Sequence, residues 1–169
     1  MKRHLLSFLT LVLSFVALTS LSFDTIHNAT TIILVRHAEK ASTGGQDPEL
    51  TDDGRARAEK LTTVFPGIKP DVFYSTNFKR TKNTLQPWAK FAGREIQLYE
   101  ANEASDFAKK LLQEQGKTIV IAGHSNTIPP LVNLLVGEEK YKNLEDSEYD
   151  KIFVVTVEHG KVSERVMVY

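Results

Sequence analysis

Along this chain, short unbroken runs of β-branched and apolar residues alternate with longer stretches in which apolar positions recur every three or four residues. Thr30 to Val35 (TTIILV) has no polar alternation and reads as a strand buried on both faces. Asp71 to Ser75, Glu95 to Tyr99 and Thr118 to Ala122 (TIVIA) read as three more strands. Between the first two, Thr51 is placed to cap a helix with Asp52 and Asp53 in its first turn. Ala56, Leu61 and Val64 set its apolar face, and Pro66-Gly67 stops it. Asn77 is the expected cap of a second helix over about 78–91, bent near Pro87 and ended by Gly93. Ser105 or a neighbour should open a third helix through Gln115, and a fourth should run from about Asn126 to Val136. Two final β-rich runs, 152–157 and 162–168, meet at His159-Gly160, a tight-hairpin signal.

Strands alternating with helices imply a mostly parallel sheet with helices on both faces, and the last hairpin adds an antiparallel edge. The expected fold class is therefore α/β, a three-layer α/β/α sandwich. No repeat or low-complexity tract divides it, so residues 30–169 read as one domain. Ahead of it the pattern changes. Lys2, Arg3 and His4 precede an uncharged apolar run from Leu5 to Leu21, with small residues Ser20 and Ser22 before Asp24. That is the layout of a secretory signal peptide over residues 1–22, cleaved after Ser22. Residues 5–23 are also long enough to remain as a membrane anchor. Either way the expected location is beyond a membrane, periplasmic or secreted, with membrane contact only through this segment. Asn28-Ala29-Thr30 is a glycosylation sequon, meaningful only in a eukaryotic secretory pathway.

Composition narrows the chemistry. The formal net charge is zero, which argues against a nucleic-acid footprint. The absence of cysteine excludes disulfides, thiolate nucleophiles and cysteine zinc sites. In an open α/β sheet, ligands bind beyond the carboxyl ends of the strands. Here those ends carry Arg36-His37, Arg80 after a short turn, Glu100, and His124. Each has an ordinary structural reading, as a salt-bridge partner, a strand-end polar residue or a helix cap. Together, two imidazoles, two guanidinium groups and a carboxylate on one rim suit an anion. Arginine holds two oxygens in a planar fork, helix N-termini add backbone N–H groups, and a neutral imidazole can attack phosphorus.

Four segments carry a resemblance to the histidine phosphatase superfamily, also called phosphoglycerate mutase-like. They are Leu34-Val35-Arg36-His37-Ala38-Glu39, Leu50-Thr51-Asp52-Asp53-Gly54, Tyr74-Ser75-Thr76-Asn77-Phe78-Lys79-Arg80-Thr81, and Val120-Ile121-Ala122-Gly123-His124-Ser125. The resemblance implies a phosphoglycerate mutase-like fold and a metal-independent, cofactor-free phosphomonoester hydrolase. It implies that His37 is the phosphohistidine-forming nucleophile and that Arg36, Arg80 and His124 bind the phosphoryl oxygens. Glu100, in Leu98-Tyr99-Glu100, is the candidate general acid, with Glu103 and Asp106 close by. Ala38 stands where the family most often has glycine, and the family's following asparagine is not evident. Lys40 and Asn126 are the substitutes considered for phosphate contact.

Rival chemistries fit less well. His37 and Glu39 have the spacing of zinc deaminases, but the cysteine pair those need is missing. Ser125 lacks the framing glycines of a nucleophile elbow. A phosphate-binding module without catalysis remains the alternative from another class. A mutase would need insertions that enclose its phosphoenzyme, and this chain is close to the minimal core. The expected partner is a phosphorylated small molecule or phosphoprotein.

Overall fold

The computed structural model describes residues 29–169, so the leader, its cleavage point and Asn28 lie outside the described residues. The elements follow in the order β1 (Thr30–Arg36), α1 (Asp52–Val64), β2 (Val72–Ser75), α2 (Lys79–Ala92), β3 (Ile96–Leu98), a 3-10 turn (Ala101–Glu103), α3 (Ala104–Gln113), β4 (Thr118–Gly123), α4 (Ile128–Val136), β5 (Lys151–Glu158) and β6 (Lys161–Val168). The strands form one sheet in the order β3-β2-β4-β1-β5-β6. β1, β2, β3 and β4 run parallel, and β5 and β6 complete the sheet antiparallel. The expected α/β architecture is present.

The apolar runs explain the layering. Because neighbours along a strand face opposite ways, an unalternated run such as Ile32-Ile33-Leu34-Val35 must be covered on both sides. Ile32, Leu34, Ile119 and Ile121 pack with Phe107 and Leu111 of α3 and Ile128 and Leu131 of α4. Ile33, Val35, Val120 and Ala122 pack with Leu61 of α1 and Leu85 and Trp88 of α2. Trp88 stacks on Phe65 at 5.5 Å and donates its indole N–H to the Ile68 carbonyl. The 159–160 hairpin turn has φ of 50° at His159 and 75° at Gly160, the left-handed pair that a two-residue turn between twisted strands requires.

Two helix starts differ from expectation, for physical reasons. Thr51 caps α1 as read, its hydroxyl accepting from Gly54 N–H at 3.0 Å. Asn77, however, does not cap α2. Its side chain accepts from Lys82, and the first-turn N–H of Lys79 is taken by Asp47 Oδ1 at 2.8 Å, from a distant loop. α3 begins at Ala104, the neighbour of Ser105, after the 3-10 turn, whereas Asn126 lies in the turn before α4, whose first turn carries two prolines. Pro87 sits within α2. Among the described residues, no helix is long and apolar enough to cross a membrane.

Candidate active site

Strand register places the two histidines together. Parallel β1 and β4 pair Arg36 with Gly123, and His37 N–H donates to the Gly123 carbonyl at 2.9 Å. The next residues along each strand, His37 and His124, therefore emerge side by side at the carboxyl rim. Their ring centroids are 5.4 Å apart, with the planes at 67°. On the other side of β4, β2 pairs Ser75 with Ala122, so Thr76 emerges next to His124, its Oγ1 3.0 Å from His124 Nε2. Gly123 permits this crowding, since a Cβ there would lie 2.7 Å from the Tyr99 hydroxyl and 2.9 Å from Thr127 Oγ1.

His37 is nearly fully buried, 3% exposed. Its Nδ1 lies 2.8 Å from the Ala38 carbonyl, which can only accept, so the neutral ring carries its proton on Nδ1 and a lone pair on Nε2. Ala38 is held in turn. Its N–H donates to Thr84 Oγ1 at 2.9 Å, and its side chain packs against Leu50 and Ala58. Burial, and then the charges of His124, Arg80 and Arg36, push the His37 pKa down to about 4 against the opposing Ala38 hydrogen bond. Burial, Arg80 and Arg36 bring His124 to about 4 as well. Both rings are neutral at ordinary pH.

The guanidinium groups are pinned from outside. Arg36 Nη1 donates to the carbonyls of Glu145, Asp146 and Glu148 at 2.8, 3.2 and 3.1 Å, and Tyr149 stacks 4.0 Å from the group's central carbon. Arg80 lies 4.3 Å over the Phe78 ring, with Nη1 3.3 Å from the Gln46 carbonyl and 3.8 Å from Asp47. What remains is informative. The Nε–H of Arg36 and the Nε–H of Arg80 are buried without a hydrogen-bond partner among the described residues. Unpaired buried donors on cationic groups are costly, and an anion would satisfy them.

Arg36, His37, Arg80 and His124 thus share one site. The other sequence candidates lie differently. Glu100 is exposed at the end of β3, lining a depression of about 340 Å³ with Tyr74, Glu103, Asp106 and Lys110. Lys40 is exposed, its backbone bridged to Leu50, and Asn126 is exposed in the turn before α4. Thr76, Phe78 and Tyr149 join the site without having been singled out. Thr76 and Phe78 stood within the quoted turn segment, whereas nothing local marks Tyr149, which a loop far along the chain delivers. Among the described residues, no three His, Cys, Asp or Glu side chains gather as metal ligands.

The sequence profile of the histidine phosphatase superfamily (branch 1) matches residues 32–107. No curated protein matches the chain in sequence. Among solved structures, the chain is similar to the phosphoserine phosphatase of Entamoeba histolytica in complex with 3-phosphoglyceric acid, at 20% identity and a TM-score of 0.65, over 83% of this chain and 97% of that one. It is similar to a mycobacterial glucosyl-3-phosphoglycerate phosphatase at 14% identity and a TM-score of 0.64, over 83% and 98%. It is also similar to a candidate phosphohistidine phosphatase, SixA, of Agrobacterium tumefaciens at 22% identity and a TM-score of 0.61, over 82% and 98%. These likenesses establish a shared fold.

Proposed function

We propose that this chain, which belongs to the histidine phosphatase superfamily, hydrolyses phosphomonoesters through a phosphohistidine formed on Nε2 of His37. The observation that carries the reading is the pair of buried Nε–H donors of Arg36 and Arg80, unpartnered among the described residues, on the two cations whose charges act on both neutral imidazoles. A phosphoryl group spreads its transition-state charge over three equatorial oxygens, and two fixed guanidinium groups match that charge without a metal. His37 is already in the tautomer the attack needs, with its Nδ1–H on Ala38 and its Nε2 lone pair available. Nε2 bonds to phosphorus as the ester oxygen leaves. Water then attacks the phosphohistidine, releasing phosphate and restoring the ring. Glu100 is retained as the candidate proton donor to the leaving oxygen, with His124 an oxygen ligand. Lys40 and Asn126 are candidate outer contacts, since both side chains are exposed. We further propose export, from the basic-then-apolar leader of residues 1–22.

The test is chemical. Incubation with a nitrophenyl phosphate followed by rapid acid-free quenching should trap one phosphoryl group per chain, stable to alkali and labile to acid. His37→Ala should abolish both the trapped species and turnover while leaving the circular dichroism spectrum unchanged. Turnover by that variant removes the assignment. Glu100→Gln should cost alkyl esters more than nitrophenyl esters, and equal losses would take the acid role from it. Phosphoserine, glycosylated phosphoglycerate and phosphohistidine peptides, suggested by the structural neighbours' names, are the first substrates to try. Activity should survive a chelator.

A further inference from the structure

The hydroxyls around His124 decide where that ring carries its proton. Thr81 Oγ1 lies 2.9 Å from two carbonyl oxygens, those of Thr76 and Phe78, and 3.1 Å from Thr76 Oγ1. A carbonyl only accepts, so the single Thr81 proton goes to one of them. Thr81 Oγ1 is then free to accept from the Thr76 hydroxyl. Having given its proton away, Thr76 Oγ1 can only accept from His124 Nε2, 3.0 Å off. The opposite chain, with Thr76 donating to Nε2, either leaves Thr81 turned from both carbonyls or sets two hydroxyl oxygens 3.1 Å apart with no hydrogen between them. Thr76 and Thr81 are both buried, so water does not relieve that choice.

We infer that Thr76 is a positioning residue that fixes neutral His124 as its Nε2–H tautomer, so that an oxyanion held by Arg36 and Arg80 is bound together with a proton that enters at His124 Nδ1. The inference rests on the reading of this site as a phosphoryl site. A neutral ring has one N–H, and here Thr76 holds it. To donate to an anion the ring must gain a second N–H. The step is a protonation only. One proton passes from buffer to Nδ1, the ring becomes cationic, and no bond to phosphorus changes. The charged groups facing His124 explain why the proton waits for the anion. Burial, then Arg80 and Arg36, oppose a cation there, and His37 sits against the ring from β1. The carboxylates of Asp47 and Asp146 lie 3.8 Å from Arg80 Nη1 and 3.9 Å from Arg36 Nη2. A dianion between the guanidinium groups reverses the local sign.

Tungstate is the probe, because near pH 7 it is a dianion with no proton of its own to give. Calorimetric titration of the full chain in buffers of different ionisation enthalpy should show uptake of about one proton per tungstate bound, as linkage requires of a group that charges on binding. Thr76→Val removes the acceptor and frees the ring to turn its one N–H to the anion, so uptake should fall severalfold while binding persists. Thr76→Ser should restore it. NMR of the imidazole nitrogens in the free protein supplies a check that needs no variant, and His124 should appear as the Nε2–H form. Failure of tungstate to bind would overturn the phosphoryl-site reading and this inference with it. Binding without proton uptake, uptake unchanged in Thr76→Val, or an Nδ1–H ring in the free protein would overturn the inference alone.

Discussion

His37 is neutral because water is excluded from it and two arginines face it. That has a cost that pH should expose. The unfolded chain's histidine protonates near 6.5, while the folded one holds out to about 4. Below the higher value the unfolded state binds a proton that the folded state refuses. Stability contributed by the neutral ring is thus complete above pH 6.5 and is lost as pH falls towards 4. For a group this buried, the loss is on the order of 3 kcal/mol. His124 acts in the same direction. Urea unfolding at pH 7 and at pH 4.5 should therefore show a smaller drop for His37→Gln than for the parent chain. An equal drop in both would mean the imidazole titrates normally when folded. If His37 attacks as proposed, the same burial sets the acid limb of turnover, because an Nε2 that stays unprotonated to about pH 4 keeps its lone pair through the mildly acidic range.

Among the elements, α1 shows how a short motif records a packing requirement. Its N-terminus sits against the segment following His37, where Thr51 N–H donates to the Glu39 carbonyl at 2.9 Å. A Cβ on Gly54 would stand 2.2 Å from that same backbone oxygen, which no side-chain motion relieves. Gly54→Ala should cost roughly 2–4 kcal/mol in chemical unfolding and disturb Ala38, the carbonyl partner of His37. Thr51→Ala should cost only about 1 kcal/mol, the loss of a cap. A neutral Gly54→Ala would show that α1 can shift without consequence. Such local rules were legible in the sequence. The β1 and β4 runs announced strands buried on both faces, Thr51 announced its helix, and His159-Gly160 its hairpin. What could not be read was supplied from afar. Asn77 looked like a cap because it precedes the helix, yet Asp47, 32 residues before Lys79, takes the N–H instead. Glu100 follows a three-residue β3 and stands with Glu103 and Asp106 around one depression, so the tripeptide alone does not choose among these carboxylates.

At the scale of the whole molecule, Arg36 joins the first strand of the sheet to a loop more than a hundred residues later. Nη1 is occupied by three carbonyls of the 145–148 segment, and Tyr149 covers the guanidinium face. Leu144 N–H, just before, donates to the Ser125 carbonyl at 3.0 Å and ties the same loop to the turn after His124. One planar group thereby closes the long connection between α4 and β5 and still keeps a buried Nε–H with no partner among the described residues. Lysine cannot do both. Its ammonium is a single point on a flexible stem, with no second edge once it has turned to the carbonyls. Arg36→Lys should therefore separate two effects that a simple loss of charge would not. If the ammonium follows the carbonyls, the 144–149 loop stays protected from hydrogen exchange while oxyanion affinity falls about tenfold or more, the loss of one charge-assisted hydrogen bond. If it follows the anion instead, affinity is kept and loop protection drops. A variant that keeps both would show that the guanidinium fork is dispensable, and that the inward charge alone, rather than a donor fixed by the far end of the chain, organises this site.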